Sequence, residues 1–304
     1  MPKKETYDKE EVFVDVEGRT LKISSLSKVL YPRTGTTKGE VLSYYAQIAP
    51  VLLPHLKDRA VTRIRWPHGV EDMSFFEKNA PGGTPSWVRT ATVPTTGSRT
   101  GKGDGEITFP IVDDLATLTW LVNLAALELH VHQWTVARNG RPRNADRLVI
   151  DLDPGEPAGL HECCQVALLV SEALEQRGLV PKPVTSGSKG LHLYADLPKR
   201  LPSQESTALA KEVAEALEKE HPKLVTATMT KARRSGKVFL DWSQNSGSKT
   251  TISPYSLRGK EKPYVATPLG WDEVEEGAED PDALEQFRLD QVLQRVEEFG
   301  DLFE

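Results

Sequence analysis

Arg147–Asp153 reads RLVIDLD, an apolar run that ends on two carboxylates and stops at Pro154. It reads as a buried strand. Side chains alternate along a strand, so Asp151 and Asp153 share one face, with Cα atoms roughly 7 Å apart. Carboxylates this close repel, and a divalent cation is the usual remedy. A plain turn cap before Pro154 would also account for Asp153, and the pair alone leaves both readings open.

Downstream, a helix from about Gly159 to Arg177 closes at Gly178, and the loop TSGSKG leads into a strand, HLYADL. Ser203 caps a helix to about Glu220, and KVFLDW (237–242) is a second buried strand that carries Asp241. A lone charge in an apolar strand is costly unless paired or metal-bound, although Asp241 at a strand end would escape that cost. Three carboxylates on neighbouring strands can hold two Mg²⁺ or Mn²⁺ ions about 3.5–4 Å apart for in-line phosphoryl or nucleotidyl transfer. Thr185–His192 (TSGSKGLH) combines glycines, hydroxyls, Lys189 and His192, which suits a phosphate cradle. It is not a P-loop, and a simple turn between a helix and a strand is the alternative. Ser246–Lys249 and Tyr255–Arg258 repeat this chemistry, with Arg258 able to clamp phosphate oxygens.

Upstream, the first ten residues are polar and read as frayed. Glu11–Ile23 alternates as a hairpin about Gly18, and Thr36 or Thr37 caps a helix running to Pro50. Ala60–Trp66 and Met73–Glu77 are short strands, and residues 94–105 form a Gly-rich binding loop or connector. Asp113 or Asp114 caps a helix to about Leu129, His130–Ala137 is a strand, and another lies near Tyr255. The last 20 residues form an acidic amphipathic helix (Leu289, Val292, Leu293, Val296). Strands interleave with helices, which predicts a mixed α/β (α+β) chain with two helices packed on one sheet.

At 304 residues with 38% hydrophobic and 27% charged residues, the composition excludes disordered, collagenous and coiled-coil classes. No long apolar run and no signal-peptide core occurs, which predicts a soluble, cytoplasmic protein without a membrane partner. Cys163 and Cys164 are adjacent, which suits neither a disulfide framework nor a zinc site and points to a reducing compartment. The net charge of −6 conceals an uneven distribution. Residues 223–262 carry nine Lys/Arg against two acids, and residues 263–304 carry thirteen acids against two arginines. The basic stretch suits a nucleic-acid partner, and a solvated charged face would also account for it.

In this order the pieces resemble the archaeo-eukaryotic primase superfamily, and within it the polymerase domain of bacterial DNA ligase D. The matching strings are KVLYP (28–32), TGTTK (34–38), RWPHGV (65–70), FFEK (75–78), the His130–Trp134 segment, DLDPGE (151–156), VTSGSKGLHLY (184–194), TATMTK (226–231) and GKVFLDWSQNSGSKTTISPYSLRG (236–259). The resemblance implies a primase-polymerase catalytic core, mixed sheets flanked by helices, as one domain over residues 1–304. Within it, about 10–145 would be a DNA-binding part, 146–262 the catalytic part, and 280–304 a C-terminal helix.

Asp151, Asp153 and Asp241 would be the catalytic metal triad for two Mn²⁺ or Mg²⁺ ions. Ser186, Lys189, His192 and Arg258 would hold the incoming nucleotide's triphosphate, with His130 beside its sugar. Lys28 and Lys38 match a pocket for the 5′-phosphate of the downstream strand, and Phe75 and Phe76 match aromatics that stack on the template. Arg65 and Arg234 complete the implied DNA contacts. Without the resemblance, the Phe pair reads as core and both lysines as solvated.

The implied activity is addition of nucleotides, usually ribonucleotides with Mn²⁺, to a primer 3′-OH at short gaps or broken ends in bacterial non-homologous end joining, at the nucleoid. The implied partners are 5′-phosphorylated gapped or broken DNA, NTPs or dNTPs, a Ku-type end-binding protein and a DNA ligase. A primase that starts chains de novo and a non-catalytic DNA-end-binding module are the alternatives. Three features depart from the family. The chain lacks the length to host ligase and phosphoesterase domains, reading as an excised domain or a stand-alone paralogue. Ile64 stands where a basic residue is expected, and the 94–105 loop is longer and richer in glycine.

Overall fold

The computed structural model describes residues 11–95 and 105–303; the polar first ten residues and most of the 94–105 loop lie outside them. Two hairpins open the chain, β1 (Glu11–Val16) with β2 (Arg19–Ser24) and β3 (Val29–Tyr31) with β4 (Thr36–Thr37). Helix α1 (Lys38–Leu56) follows, then β5 (Val61–Arg65), β6 (Phe75–Glu77), β7 (Thr90–Thr95), β8 (Gly105–Pro110), α2 (Leu115–Asn123), β9 (Ala126–Val131) and β10 (Trp134–Val136). The second half holds β11 (Pro142–Pro154), α3 (Leu160–Glu175), β12 (Pro181–Thr185), β13 (Leu191–Leu201), α4 (Ser203–Glu220), β14 (Val225–Thr226), β15 (Val238–Asp241), β16 (Thr251–Ile252), α5 (Trp271–Glu279) and α6 (Leu289–Phe299).

Two sheets carry the architecture. One runs β12-β13-β11-β15-β14, with β10 also on β11; the other runs β16-β9-β5-β6. Helices α3 and α4 bury their apolar faces against the first sheet, through Cys163, Val166, Val170 and Leu174 on one and Ala210, Val213 and Leu217 on the other. Helices α1 and α2 cover the second sheet, and Val292 of α6 joins that core. Cys163 and Cys164 are buried free thiols, and burial pushes the Cys164 thiol up to about 12. No helix among the described residues is long and apolar enough to cross a membrane.

Several elements differ from the sequence reading. Helix α1 continues through Pro50 and Pro54 to Leu56. Both prolines lie on its exposed face, where water can serve the carbonyls they leave free, while Ile48, Leu52 and Leu56 continue the buried stripe. Helix α2 ends at Asn123 instead of Leu129, with Asp114 as its cap. Ala125 takes a positive φ there, and ALELHV turns into a nearly wholly buried strand; short apolar runs of this kind look alike as helix or strand. The 130–137 strand is two strands, β9 and β10. The TSGSKG loop joins two paired strands, β12 and β13, and not a helix and a strand. The hairpin of β7 and β8 and helix α5 went unread.

Candidate active site

The register of the first sheet decides the site. On β11, Asp151 pairs directly with Asp241 of β15 on one side and with His192 of β13 on the other. Directly opposed residues project to the same face, and Asp153 joins them by alternation. A cleft of about 330 Å³ collects His130, Asp151, Asp153, Ser186, Lys189, His192 and Arg258. Asp241 stands beside it through its pairing with Asp151. His130 comes from the second sheet, so the cleft lies where the two sheets meet.

Each carboxylate has its own partner. His192 Nε2 lies 3.3 Å from Asp151 Oδ1. Gln244 Nε2 donates to both Asp151 Oδ2 (3.2 Å) and Asp241 Oδ2 (3.3 Å). The Ser243 N–H donates to Asp241 Oδ1 at 3.0 Å, and Lys249 Nζ stands 3.6 Å from Oδ2. Arg234 reaches Asp153 Oδ2 at 3.4 Å while its guanidinium stacks on Phe239. The electrostatics split the pair on β11. Burial works to raise the pKa of Asp151, but His192 and Gln244 outweigh it and hold it low. Asp153 is raised by burial and by the charge of Asp151, against Arg234 and Lys189.

The TSGSKG turn is a shaped cradle. Gly187 sits at φ +64°, and a Cβ there would meet the Arg258 side chain at 2.6 Å. A Cβ on Gly190 would strike the Leu152 carbonyl oxygen at 1.9 Å. The Ser186 hydroxyl accepts from the N–H groups of Ser188 and Gly190, which fixes the loop and leaves its own proton to donate. Lys189 projects outward to Glu156, and Arg258 Nε lies 3.5 Å from Glu128 Oε1.

Glu128 and Gln244 are site residues that the sequence reading missed, and Lys249, read there as part of a phosphate cluster, stands instead against Asp241. Glu128 is nearly buried and takes His130 Nε2 at 2.7 Å and the Gly259 N–H at 2.9 Å. Burial pushes it up, but His130, Arg258 and the Gly259 N–H hold it at about 2. The signal was the lone acid in ALELHV, two residues before His130. Gln244 lies three residues past Asp241, and the 3₁₀ turn Trp242–Asn245 returns it to the carboxylates.

Of the residues expected to contact DNA, Arg234 lies in the cleft against Asp153, and the others lie elsewhere. Phe75 and Phe76 are 43% and 59% exposed on the edge strand β6, so the core reading of the pair fails. Phe76 opposes Ile64, Ile64 opposes Glu128, and Thr62 opposes His130, so Phe76 shares the cleft-side face of the sheet. Ile64 gives that face an apolar floor, and Phe75, opposite Arg65, points to the other side. Arg65 is half-buried, donating to Glu77 and to the Leu124 carbonyl. Lys38 is 5% exposed, which overturns its reading as a solvated lysine, and its ammonium donates to the Ser24 carbonyl and Asn123 Oδ1. Burial first, and Lys28 second, lower its pKa to about 8. Lys28 is half-buried, with Nζ on the Pro67 carbonyl.

A family model described as "LigD, primase-polymerase domain" matches residues 37–303. The chain belongs to this family. LigD proteins of Mycobacterium bovis and Bacillus subtilis, named multifunctional and bifunctional non-homologous end joining proteins, are 50% and 34% identical over 93% and 92% of this chain. The chain spans 36% and 43% of their lengths. The polymerase domain of Mycobacterium tuberculosis ligase D, solved in complex with DNA, superimposes with a TM-score of 0.86 at 49% identity, covering 93% of this chain and 96% of that one. That LigD polymerase domain has the same mixed α/β fold, with sheets flanked by helices.

Among the described residues, no group of three or more His, Cys, Asp or Glu side chains is drawn together tightly enough to hold a metal ion. The carboxylates are instead turned toward Arg234, Lys249, Gln244 and His192. The donor set still fits a divalent cation: three hard oxygen ligands share one face, two of them directly opposed, where like charges repel. Divalent-metal chemistry is consistent with the LigD polymerase family.

Proposed function

We propose that this chain is a template-directed nucleotidyltransferase that adds nucleotides to a primer 3′-OH at short gaps or broken ends during bacterial non-homologous end joining. The observation that carries this reading is the register that sets Asp151 opposite Asp241, with Asp153 beside them, facing the Ser186–His192 cradle and Arg258.

Asp151, Asp153 and Asp241 would hold Mn²⁺ or Mg²⁺, in the fullest form two ions, supplying positive charge at the attacking and leaving oxygens. The protein's own groups do the rest. Lys189, His192 and Arg258 bind the triphosphate and offset the charge developing on the pyrophosphate. Ser186 donates its free hydroxyl proton to a phosphate oxygen. Arg258 is braced by Glu128, which also orients His130 toward the sugar. Lys28 and Lys38 grip a downstream 5′-phosphate, and Phe76 stacks on the template. A Ku-type end-binding protein and a ligase would complete the reaction, at the nucleoid in the cytoplasm.

The test is primer extension on a short gap with a downstream 5′-phosphate, using ribo- and deoxynucleotides with Mn²⁺ or Mg²⁺ and an Asp151→Ala control. Extension that favours the phosphorylated gap and disappears in the variant is the expected result. Product from a primer-free strand would reassign the chain to de novo priming, and bound but unextended DNA would make it an end-binding module.

A further inference from the structure

The face of β11 that carries Asp151 continues inward behind the cleft. Arg147, Val149 and Asp151 alternate onto it, and Asp196, Tyr194 and His192 of β13 oppose them in turn. Tyr194 thus stands between a buried guanidinium and the His192 imidazole, behind the cleft and not on its wall. Its ring is clamped. The Arg147 guanidinium carbon lies 4.7 Å from the ring centroid, and Phe303 packs on the ring at 5.7 Å. His192 meets it edge to face at 5.9 Å.

The phenol has one proton and two polar neighbours. Its hydroxyl donates to the Ile252 carbonyl at 2.8 Å, which leaves the oxygen only to accept. His192 Nδ1 lies 3.4 Å from that oxygen, so the proton of this pair sits on Nδ1. The contact is long, of the kind that tightens when a ligand engages the far side of the ring. Nε2 is left facing Asp151 Oδ1 and the cleft. The anchor has its own consequence. Ile252 lies on β16 and pairs with His130 of β9, so the phenol bridges the two sheets beside the residues that face each other across the cleft. Without this bond the imidazole is freer to turn about its broad second side-chain torsion.

We propose that Tyr194 is a positioning residue of the nucleotide site: anchored on the second sheet, its hydroxyl holds His192 Nδ1 and so aims Nε2 at the triphosphate. This rests on the polymerase reading above, with His192 as a triphosphate ligand.

Tyr194→Phe removes the hydroxyl and keeps the ring between Arg147 and Phe303; far-UV circular dichroism confirms that it folds. Primer extension on gapped DNA should show the nucleotide KM raised about fivefold, the scale of one neutral hydrogen bond. Both kcat and DNA affinity by anisotropy should stay within about twofold. Nucleotide affinity is then measured on a primer lacking its 3′-OH, so that no reaction is needed. In a His192→Ala background Tyr194→Phe should add no further loss, because the hydroxyl acts through that ring. Nitrogen-15 NMR of the histidine-labelled wild type, with His192 assigned by its absence in His192→Ala, should show a protonated Nδ1. Four results would each overturn the positioning role while leaving the polymerase reading intact: an unchanged nucleotide KM in Tyr194→Phe, the same loss with and without His192, an unprotonated Nδ1, or a joint fall in kcat and DNA affinity that marks a purely structural residue. Absence of extension by the wild type would overturn both.

Discussion

The acid cleft and the lysine corner of Lys28 and Lys38 meet the same problem, charge out of water, in opposite ways. In the cleft every carboxylate of the triad has a basic side chain within 3.3–3.6 Å: the His192 imidazole for Asp151, Arg234 for Asp153, Lys249 for Asp241. In the corner, the Lys38 ammonium donates to a carbonyl and an amide oxygen, both neutral, and its pKa falls to about 8. Nearby opposite charge favours the ionised form, whereas burial without it disfavours that form. The cleft therefore holds its charges ready by pairing them internally, and an arriving cation must displace Arg234 and Lys249. The corner keeps two ammonium groups close together, an arrangement that an incoming phosphate dianion stabilises.

The largest effect should come from breaking the cleft. Asp241→Ala or Asp151→Ala should lower primer extension by on the order of a thousandfold, the scale for losing transition-state charge stabilisation, while DNA affinity by anisotropy stays within about twofold. Equal loss of both would make the triad structural. Phe76→Ala belongs to neither charged region and should weaken template binding by about 1–3 kcal/mol, equally for phosphorylated and hydroxyl gaps. Phe75→Ala, on the opposite face of β6, should cost less; if it cost more, the strand's register would be wrong.

The corner is probed by phosphate discrimination. Lys28→Ala should reduce the preference for 5′-phosphorylated over 5′-hydroxyl gaps about tenfold, with extension of the hydroxyl gap unchanged. Indifference to the phosphate would remove the corner from the binding surface.

The smallest effect is in pH. Above about 8 the folded protein loses the Lys38 proton, while the unfolded chain keeps it to about 10.5. The unfolded state then binds more protons, so stability rises with pH across that window. Preference for the 5′-phosphate should fall over the same window as the ammonium is neutralised. Thermal unfolding and gap binding at pH 7.5 to 10 (roughly spanning that window) measure both, and Lys38→Met should flatten both curves.

Much of the site is legible along the chain, because its parts sit in strings with their own physical logic. RLVIDLD and KVFLDW each read as an apolar strand ending in acid, and TSGSKG as a turn that needs glycine. All the residues assigned to the triphosphate line one cleft with Asp151 and Asp153. The misses have a common cause. Glu128 looks like an ordinary charge until β5 and β9 bury it, and Lys38 looks solvated until Asn123 and Ser24 close over it. The extra basic charge of residues 223–262 is also explained partly by the fold: Arg234, Lys249 and Arg258 each lie against an acid of the site.

Alternation and turn chemistry operate over a few residues, so the sequence by itself determined that Asp151 and Asp153 share a face and that Gly187 permits a tight turn. Which strands become neighbours depends on burying apolar faces far apart in the chain. Only the tertiary structure could set Asp241 opposite Asp151, bring His130 across from a second sheet, and leave Phe76 exposed on an edge while Arg63, on the neighbouring strand, is buried.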